Sequence, residues 1–140
     1  MEFRIAAEYE LDELAKKLIE MAGNYNVWLF YGEMGAGKTA LIRHLCAVLG
    51  VIDQVSSPSF NIIHEYRTLD GKLIYHFDFY RLSREEEGMD LGIDEYFESG
   101  NRCLIEWPER IPSLLPSRYV AITLRIGLHH CRTITLKHHG

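Results

Sequence analysis

The sequence contains no long run of apolar residues. The longest run, Val27–Tyr31, is far shorter than the roughly 20 apolar residues that a membrane-spanning helix needs, so we expect no membrane segment. The first residues do not combine basic charge, an apolar core and small residues as a secretory leader does. From these two features we expect a cytoplasmic protein.

Cysteine and basic charge are also scarce. The 140 residues include 3 cysteines, Cys46, Cys103 and Cys131, which are scattered and form no CxxC pair. This pattern predicts free thiols in a reducing compartment. The formal net charge is −5, whereas a protein that binds nucleic acid by itself usually has a basic face. The charge therefore argues against stand-alone binding of nucleic acid.

The residues that are present fit a globular domain. Hydrophobic residues make up 47% of the chain and charged residues 25%, which is the balance of a soluble folded protein. The sequence contains no internal repeat and no low-complexity linker. We therefore expect residues 1–140 to form a single domain.

In the first half of the chain, apolar spacing predicts two helices around a strand. Apolar residues within 11–22 recur at intervals of three and four, as on one face of a helix. Residues 27–31 are continuously apolar, which is typical of a parallel strand covered on both faces. Apolar spacing within 41–49 predicts a second helix, which should end at Gly50.

The second half of the chain predicts a hairpin followed by a short helix. Asp70-Gly71 separates two strand-like runs, residues 60–67 and 73–80, and an Asp-Gly pair in that place favours a hairpin turn. Ser83 followed by Glu86 fits a capping box, so a helix should begin there.

Three later segments complete the predicted sheet. Residues 103–106 form a short buried strand. Residues 119–126 and 133–137 alternate apolar and polar side chains, as antiparallel strands near a sheet edge do. Together the segments predict an α/β fold in which a mixed sheet has an antiparallel flank.

One motif determines the class of protein. Residues 32–39 match GxxxxGK[ST], the phosphate-binding P-loop, and they lie between a predicted strand and a predicted helix, as the motif requires. Glycines let such a loop direct backbone N–H groups at phosphate oxygens, and the helix adds its positive N-terminal end. Lys38 then reaches the β- and γ-phosphates, and the Thr39 hydroxyl joins the Mg²⁺ shell. The predicted ligands are ATP and Mg²⁺, held by Glu33, Met34, Gly35, Ala36, Gly37, Lys38, Thr39 and Ala40.

A P-loop also needs a carboxylate from a neighbouring strand to anchor its metal ion. Two residues fit, because Asp78 follows the strand-like run Ile74-Tyr75-His76-Phe77 and Glu106 follows the apolar residues 103–105. Either acid taken alone is equally well explained as a helix cap or a surface charge. The residues themselves leave the choice between the two acids open.

Residues 55–60 follow the predicted P-loop helix, where P-loop proteins often place a loop that senses the γ-phosphate. Ser59 in this segment offers a hydroxyl to the metal ion or to an attacking water. By composition alone, an ordinary Ser-Pro turn explains the segment better.

Four motifs, taken in order, resemble those of a known family. They are Gly-Glu-Met-Gly-Ala-Gly-Lys-Thr, Ser57-Pro58-Ser59-Phe60, His76-Phe77-Asp78-Phe79-Tyr80-Arg81 and Ile105-Glu106-Trp107-Pro108-Glu109-Arg110. In the order and spacing of these motifs and in its total length, the chain resembles the bacterial TsaE family, the small ATPases of tRNA threonylcarbamoyladenosine biosynthesis. Many families share the P-loop, but its combination with HxDxYR and IEWPER is highly specific.

The resemblance implies a P-loop NTPase-like domain of three layers, with a parallel core and antiparallel flanking strands. It also implies that ATP hydrolysis serves a complex with the TsaB and TsaD proteins, so that tRNA is reached only indirectly. By position in the family, the metal ligands would be Thr39 and Glu106, the catalytic residues Lys38, Asp78 and Ser59, and a further nucleotide contact Arg132.

Two other functions remain open from the residues alone. A small-molecule kinase shares the P-loop and the chain length, but it needs an acceptor pocket and usually an arginine-bearing lid. Arg81 and Arg84 lie near a possible lid, and no long inserted segment follows them. A nucleotide-sensing module would bind ATP without useful turnover, and it would differ from the ATPase mainly in its partner.

Overall fold

The computed structural model describes residues 1–55 and 62–140, and within these ranges it contains one sheet of 7 strands. The strands are β1 (Glu2–Ile5), β2 (Val27–Tyr31), β3 (Ile63–Arg67), β4 (Leu73–Asp78), β5 (Arg102–Glu106), β6 (Tyr119–Ile126) and β7 (Arg132–His139). The helices are α1 (Leu11–Ala22), α2 (Lys38–Val48), α3 (Glu85–Asp90) and α4 (Ile93–Glu98). Within the same ranges, no helix is long and apolar enough to cross a membrane.

The sheet has a parallel centre and antiparallel flanks. Its strand order is β1-β7-β6-β2-β5-β4-β3. The pairs β6–β2, β2–β5 and β5–β4 are parallel, whereas β3 pairs antiparallel with β4, β7 with β6 and β1 with β7. Strand β2 is buried along nearly its whole length because it lies at the centre with both faces covered. The predicted mixed α/β sheet is confirmed, and the antiparallel flank occurs at both edges.

Helices cover both faces of the sheet, which gives the expected three layers. On one face, α1 and α2 share a core with Trp28, Phe30 and Leu104. On the other face, Leu29 and Phe77 share a second core with α4. The two cores draw on alternate residues of each strand because neighbouring side chains point to opposite faces.

The register of the parallel strands brings three strand ends together. In the β4–β5 pair, Asp78 lies opposite Glu106. In the β2–β5 pair, Phe30 lies opposite the same glutamate, so the loop that follows β2 leaves the sheet at this edge. Open α/β sheets bind ligands beyond the carboxyl ends of their strands. This edge of the sheet is therefore where the fold predicts a ligand site.

One local prediction is wrong at the start of α3. The helix begins at Glu85 rather than directly after Ser83, so the carboxylate at its third position is that of Glu87, not Glu86. Glu87 Oε1 accepts hydrogen bonds from the backbone N–H groups of Ser83 at 3.2 Å and Arg84 at 3.3 Å. Only this half of a capping box is present, because the N-cap residue is Arg84, whose guanidinium cannot accept a hydrogen bond from the helix.

The β1 edge of the sheet also differs from the prediction. Strand β1 was not expected from the sequence, and it pairs antiparallel with β7. Strand β6 was expected to be antiparallel near an edge, but it is parallel to β2 and antiparallel only to β7. Its alternating pattern arises because one face lies on the α1–α2 core while the other face is only partly covered.

The cysteines are free thiols, as predicted. Cys46 and Cys103 are buried, and burial raises the pKa of each thiol to about 12. Cys131 is half-buried. Thiols with so high a pKa are almost entirely protonated near neutral pH, which makes the two buried ones poor nucleophiles.

Candidate functional site

Residues 32–37 form the loop between β2 and α2, and two of its glycines are required by the geometry. Gly37 precedes α2 with a φ of 100°, in the left-handed region that favours glycine. Gly32 passes so close to β6 that a Cβ atom there would lie 2.9 Å from the Leu124 carbonyl oxygen. The loop brings the N-terminus of α2, with its positive dipole, to the carboxyl edge of the sheet.

Lys38 is the first residue of α2, and its side chain is folded against the loop. It is only 5% exposed. Its Nζ donates to the Gly32 carbonyl oxygen at 2.5 Å and lies 3.6 Å from the centre of the Trp107 ring. Trp107 follows β5 with a φ of 58°, which is unusual for a residue with a large side chain. A carbonyl oxygen and an aromatic face thus hold the ammonium group.

Three acids favour the charged form of the same lysine. Burial lowers the pKa of the Lys38 ammonium, and the negative charges of Glu106, Glu109 and Asp78 oppose this shift because they favour the charged form. The carboxylates therefore help to keep Lys38 protonated beside the loop.

Thr39 and Glu106 meet at the centre of the site. The Thr39 hydroxyl donates to Glu106 Oε1 at 2.9 Å, which joins the second residue of α2 to the end of β5. Glu106 is 3% exposed, so both carboxylate oxygens need partners inside the protein. The other oxygen, Oε2, lies 2.7 Å from Nε2 of the fully buried His76 on β4.

The contacts continue beyond His76 to β3. The Tyr66 hydroxyl lies 2.9 Å from His76 Nδ1, and Tyr66 is also buried. Tyr75 and Phe77, the neighbours of His76 on β4, belong to the opposite core, whereas Tyr66 belongs to the core under α1 and α2. A chain of side-chain contacts therefore runs from α2 across β5 and β4 to β3.

Asp78 lies beside Glu106 in a different setting. It is half-buried, and its Oδ1 accepts a hydrogen bond from the backbone N–H of Tyr80 at 3.0 Å. That bond stabilises the turn after β4. The contact with Thr39 thus distinguishes Glu106 from Asp78, a distinction that the sequence left open.

Arg132, the first residue of β7, reaches the other side of the loop. Its Nε donates to the Ala36 carbonyl oxygen at 3.2 Å, and its Nη2 donates to the Gly35 carbonyl oxygen at 3.5 Å. A pocket of about 220 Å³ opens beside it, between the loop, the start of α1 and β7. Apolar side chains such as Leu11 line most of the pocket, with Glu8, His130 and Arg132 as polar members. Such a composition is typical of small-molecule sites.

The structure brings most of the predicted site residues to this one edge. Around the loop lie Glu33, Met34, Gly35, Ala36, Gly37, Lys38, Thr39, Ala40, Asp78, Glu106 and Arg132. Ser59, the remaining predicted catalytic residue, lies outside the described residues. Sequence reasoning assigned no role to His76, Tyr66 or Trp107. For His76 a signal was present, because alternation along a strand places it on the same face as Asp78.

The oxygen donors of Thr39 and Glu106 suit a small, hard cation. Mg²⁺ prefers oxygen ligands, and in nucleotide sites it takes one or two from the protein and the rest from phosphates and water. Within residues 1–55 and 62–140, no group of three or more His, Cys, Asp and Glu side chains is placed to hold a metal ion. The Thr39–Glu106 pair offers two adjacent oxygen donors of the kind that Mg²⁺ prefers.

The sequence matches a known family over nearly the whole chain. The family model described as "Threonylcarbamoyl adenosine biosynthesis protein TsaE" matches residues 5–134. The chain belongs to the TsaE family. This family takes part in tRNA threonylcarbamoyladenosine biosynthesis, and the match confirms the resemblance drawn from the four motifs.

Individual TsaE relatives agree in sequence and in structure. The tRNA threonylcarbamoyladenosine biosynthesis protein TsaE of Haemophilus influenzae is 41% identical over 93 residues, which cover 66% of this chain and 58% of that protein. The protein of the same name from Bacillus subtilis is 37% identical over 136 residues, which cover 96% of this chain and 84% of that protein. The crystal structure of Bacillus subtilis YdiB matches with a TM-score of 0.79 and 31% identity, covering 100% of this chain and 86% of that one.

Proposed function

We propose that this TsaE-family chain binds and hydrolyses ATP with Mg²⁺ during the modification of adenosine-37 in tRNA. One observation carries the proposal: the P-loop leads into Lys38 and Thr39, and the Thr39 hydroxyl lies 2.9 Å from the buried Glu106 carboxylate. A cation, a hydroxyl and a carboxylate at a helix N-terminus are the groups that a nucleotide phosphate and its metal ion require.

The nucleotide would lie across the loop. Backbone N–H groups of residues 33–40 would contact the phosphates, and Lys38 would leave the Gly32 carbonyl to reach the β- and γ-phosphates. The pocket beside Leu11 and Arg132 would accept the base, because its largely apolar walls suit a flat aromatic ring.

Thr39 and Glu106 would hold Mg²⁺, directly or through water. When bound, the ion would neutralise negative charge that develops on the phosphate oxygens. Asp78, which lies next to Glu106 in the sheet, and Ser59, which lies outside the described residues, would act on the attacking water.

Turnover by the chain alone is expected to be slow. Hydrolysis needs a positioned water and charge stabilisation on the transferring group in addition to bound phosphates. We infer that TsaB and TsaD complete these requirements and that the chain reaches tRNA only through their complex, in the cytoplasm. The net charge of −5 supports an indirect link, because contacts with phosphates supply most non-specific affinity for nucleic acid.

The first test is ATP binding by Lys38→Ala. Loss of the charge that pairs with the phosphates should weaken ATP–Mg²⁺ binding at least tenfold, about 1.4 kcal/mol, in isothermal titration calorimetry. Lys72→Ala is the matched control, because the Lys72 side chain is exposed on the turn between β3 and β4, and it should bind as the wild type does. Equal affinity of Lys38→Ala and the wild type would overturn the P-loop assignment.

The second test is phosphate release with and without TsaB and TsaD. The wild type should release phosphate slowly alone and faster with both proteins. Ser59→Ala should lose this stimulation and keep most of its ATP affinity, because the hydroxyl would matter in the transition state. Fast release that is independent of the partners would contradict the proposed dependence. Transfer of phosphate to a small metabolite instead of water would favour a small-molecule kinase.

A further inference from the structure

We infer that His76 is a positioning residue, which holds the Glu106 carboxylate at the proposed metal site in the orientation that meets Thr39. The inference rests on the proposed binding of ATP and Mg²⁺. His76 is fully buried on β4, so it acts through Glu106 rather than on the nucleotide.

The two oxygens of Glu106 have different partners. Oε1 accepts from the Thr39 hydroxyl at 2.9 Å, and Oε2 lies 2.7 Å from His76 Nε2. The Thr39 hydroxyl is also a proposed metal ligand, so its contact with Oε1 has to adjust when the metal ion binds. The His76 contact needs no such adjustment. It is therefore the contact that fixes the carboxylate in both states.

Burial makes the His76 contact necessary. Glu106 is 3% exposed and His76 is 0% exposed, so bulk water cannot replace either partner. A buried carboxylate oxygen that lacks a donor is strongly destabilising. Without the donor on His76, the Glu106 side chain would turn toward another donor or admit water. Either change would move Oε1 away from Thr39.

Tyr66 fixes the imidazole ring in turn. An ionised carboxylate only accepts hydrogen bonds, so His76 must carry a hydrogen on Nε2. The other ring nitrogen, Nδ1, lies 2.9 Å from the buried Tyr66 hydroxyl, so both nitrogens of the imidazole have a hydrogen-bonding partner. Outer partners of this kind orient the ligands of metal sites, and their loss typically lowers metal affinity.

The test measures how much Mg²⁺ strengthens ATP binding, as the ratio of the Kd values without and with Mg²⁺ in calorimetry. His76→Gln places an amide N–H near the position of Nε2 and should keep most of the wild-type ratio. The Asn side chain in His76→Asn is one methylene shorter than that of Gln and cannot reach Glu106, so the ratio in this variant should fall about tenfold. ATP affinity without Mg²⁺ should be similar in both variants.

Tyr66→Phe removes the outer hydroxyl and should lower the ratio by a smaller factor than His76→Asn. Tyr75→Phe is its matched control, because Tyr75 is a neighbour of His76 on β4 whose ring belongs to the opposite core. Thermal unfolding followed by circular dichroism distinguishes a merely structural role from a role in positioning Glu106. Variants of His76 and Tyr66 that lose stability but keep the wild-type ratio would overturn the inference. If His76→Asn does not fold, an unchanged ratio in Tyr66→Phe overturns it.

The inference and the proposed function fail in different ways. A wild-type chain that does not bind ATP, or gains no affinity from Mg²⁺, would refute the proposed function. A wild-type chain with a clear gain from Mg²⁺ that His76→Asn leaves intact would refute the role of His76 alone.

Discussion

The ends of β4 and β5 carry two acids that lie opposite each other in the sheet but in different surroundings. Glu106 is 3% exposed and contacts Thr39 and His76. Asp78 is half-buried, and its Oδ1 accepts the backbone N–H of Tyr80. Equivalent positions at neighbouring strand ends therefore do not give equivalent chemistry, because the first turn of α2 contacts one acid directly.

The difference has a physical consequence for the proposed binding of a cation. A partly exposed carboxylate keeps some of its hydration. A buried carboxylate has given up its water and depends on fixed donors, so its orientation is set before a ligand arrives. By this reasoning the Glu106 carboxylate is preorganised, whereas Asp78 keeps part of its hydration.

Among the variants that compare Glu106 with Asp78, Glu106→Gln should have the largest effect on the gain in ATP affinity from Mg²⁺. It keeps the size of the side chain and removes the negative charge, so the gain in ATP affinity from Mg²⁺ should fall at least tenfold, about 1.4 kcal/mol. ATP affinity without Mg²⁺ should change less. Calorimetric titrations with and without the metal ion measure both quantities.

Asp78→Asn is the matched control for that experiment. The Asn side chain can still accept from the Tyr80 N–H, and the gain from Mg²⁺ should stay within about threefold of the wild type, roughly 0.7 kcal/mol. If Asp78→Asn abolishes the gain and Glu106→Gln preserves it, the two acids have the opposite roles.

Thr39→Val tests the same contrast through the stability of the protein. It removes the donor to Glu106 Oε1, and a buried acceptor left without a partner should lower the free energy of unfolding by about 1–3 kcal/mol. Thr39→Ser keeps the hydroxyl and should lose much less. Urea denaturation measures both. Equal stability of Thr39→Val and Thr39→Ser would show that water reaches Glu106 and that the contrast with Asp78 is wrong.

The smallest effect should appear in the pH dependence of ATP binding without Mg²⁺. Affinity should fall as the pH rises through the pKa of Lys38, because the cation that pairs with the phosphates is lost. Burial lowers this pKa, while Glu106, Glu109 and Asp78 raise it, in that order. Glu106→Gln removes the largest opposing charge, so the fall should begin at a lower pH than in the wild type.

Asp78→Asn should also move this fall in ATP affinity to lower pH, by a smaller amount than Glu106→Gln. Calorimetry over a series of alkaline buffers, with unfolding checked at each pH, gives the two curves. If ATP affinity falls at a higher pH in either variant than in the wild type, the electrostatic role assigned to the acids is wrong.

The sequence by itself determined the P-loop and most of the elements that carry it. The apolar run of residues 27–31 and the glycines of residues 32–37 act within a few residues, through burial and backbone freedom, and such local constraints are visible as patterns. The predictions that failed depend on distance or on one position. Strand β1 pairs with β7, which lies at the other end of the chain, and α3 begins at Glu85 instead of directly after Ser83.

Only the tertiary structure decided which acid meets Thr39. Asp78 and Glu106 look alike in the sequence, since each ends an apolar strand. Glu106 lies 67 residues from Thr39 and 30 residues from His76 along the chain, and Arg132 lies 96 residues from Ala36. These contacts follow from the order and register of the strands, which no local pattern encodes. The burial that makes Glu106 depend on its donors is a property of the assembled sheet.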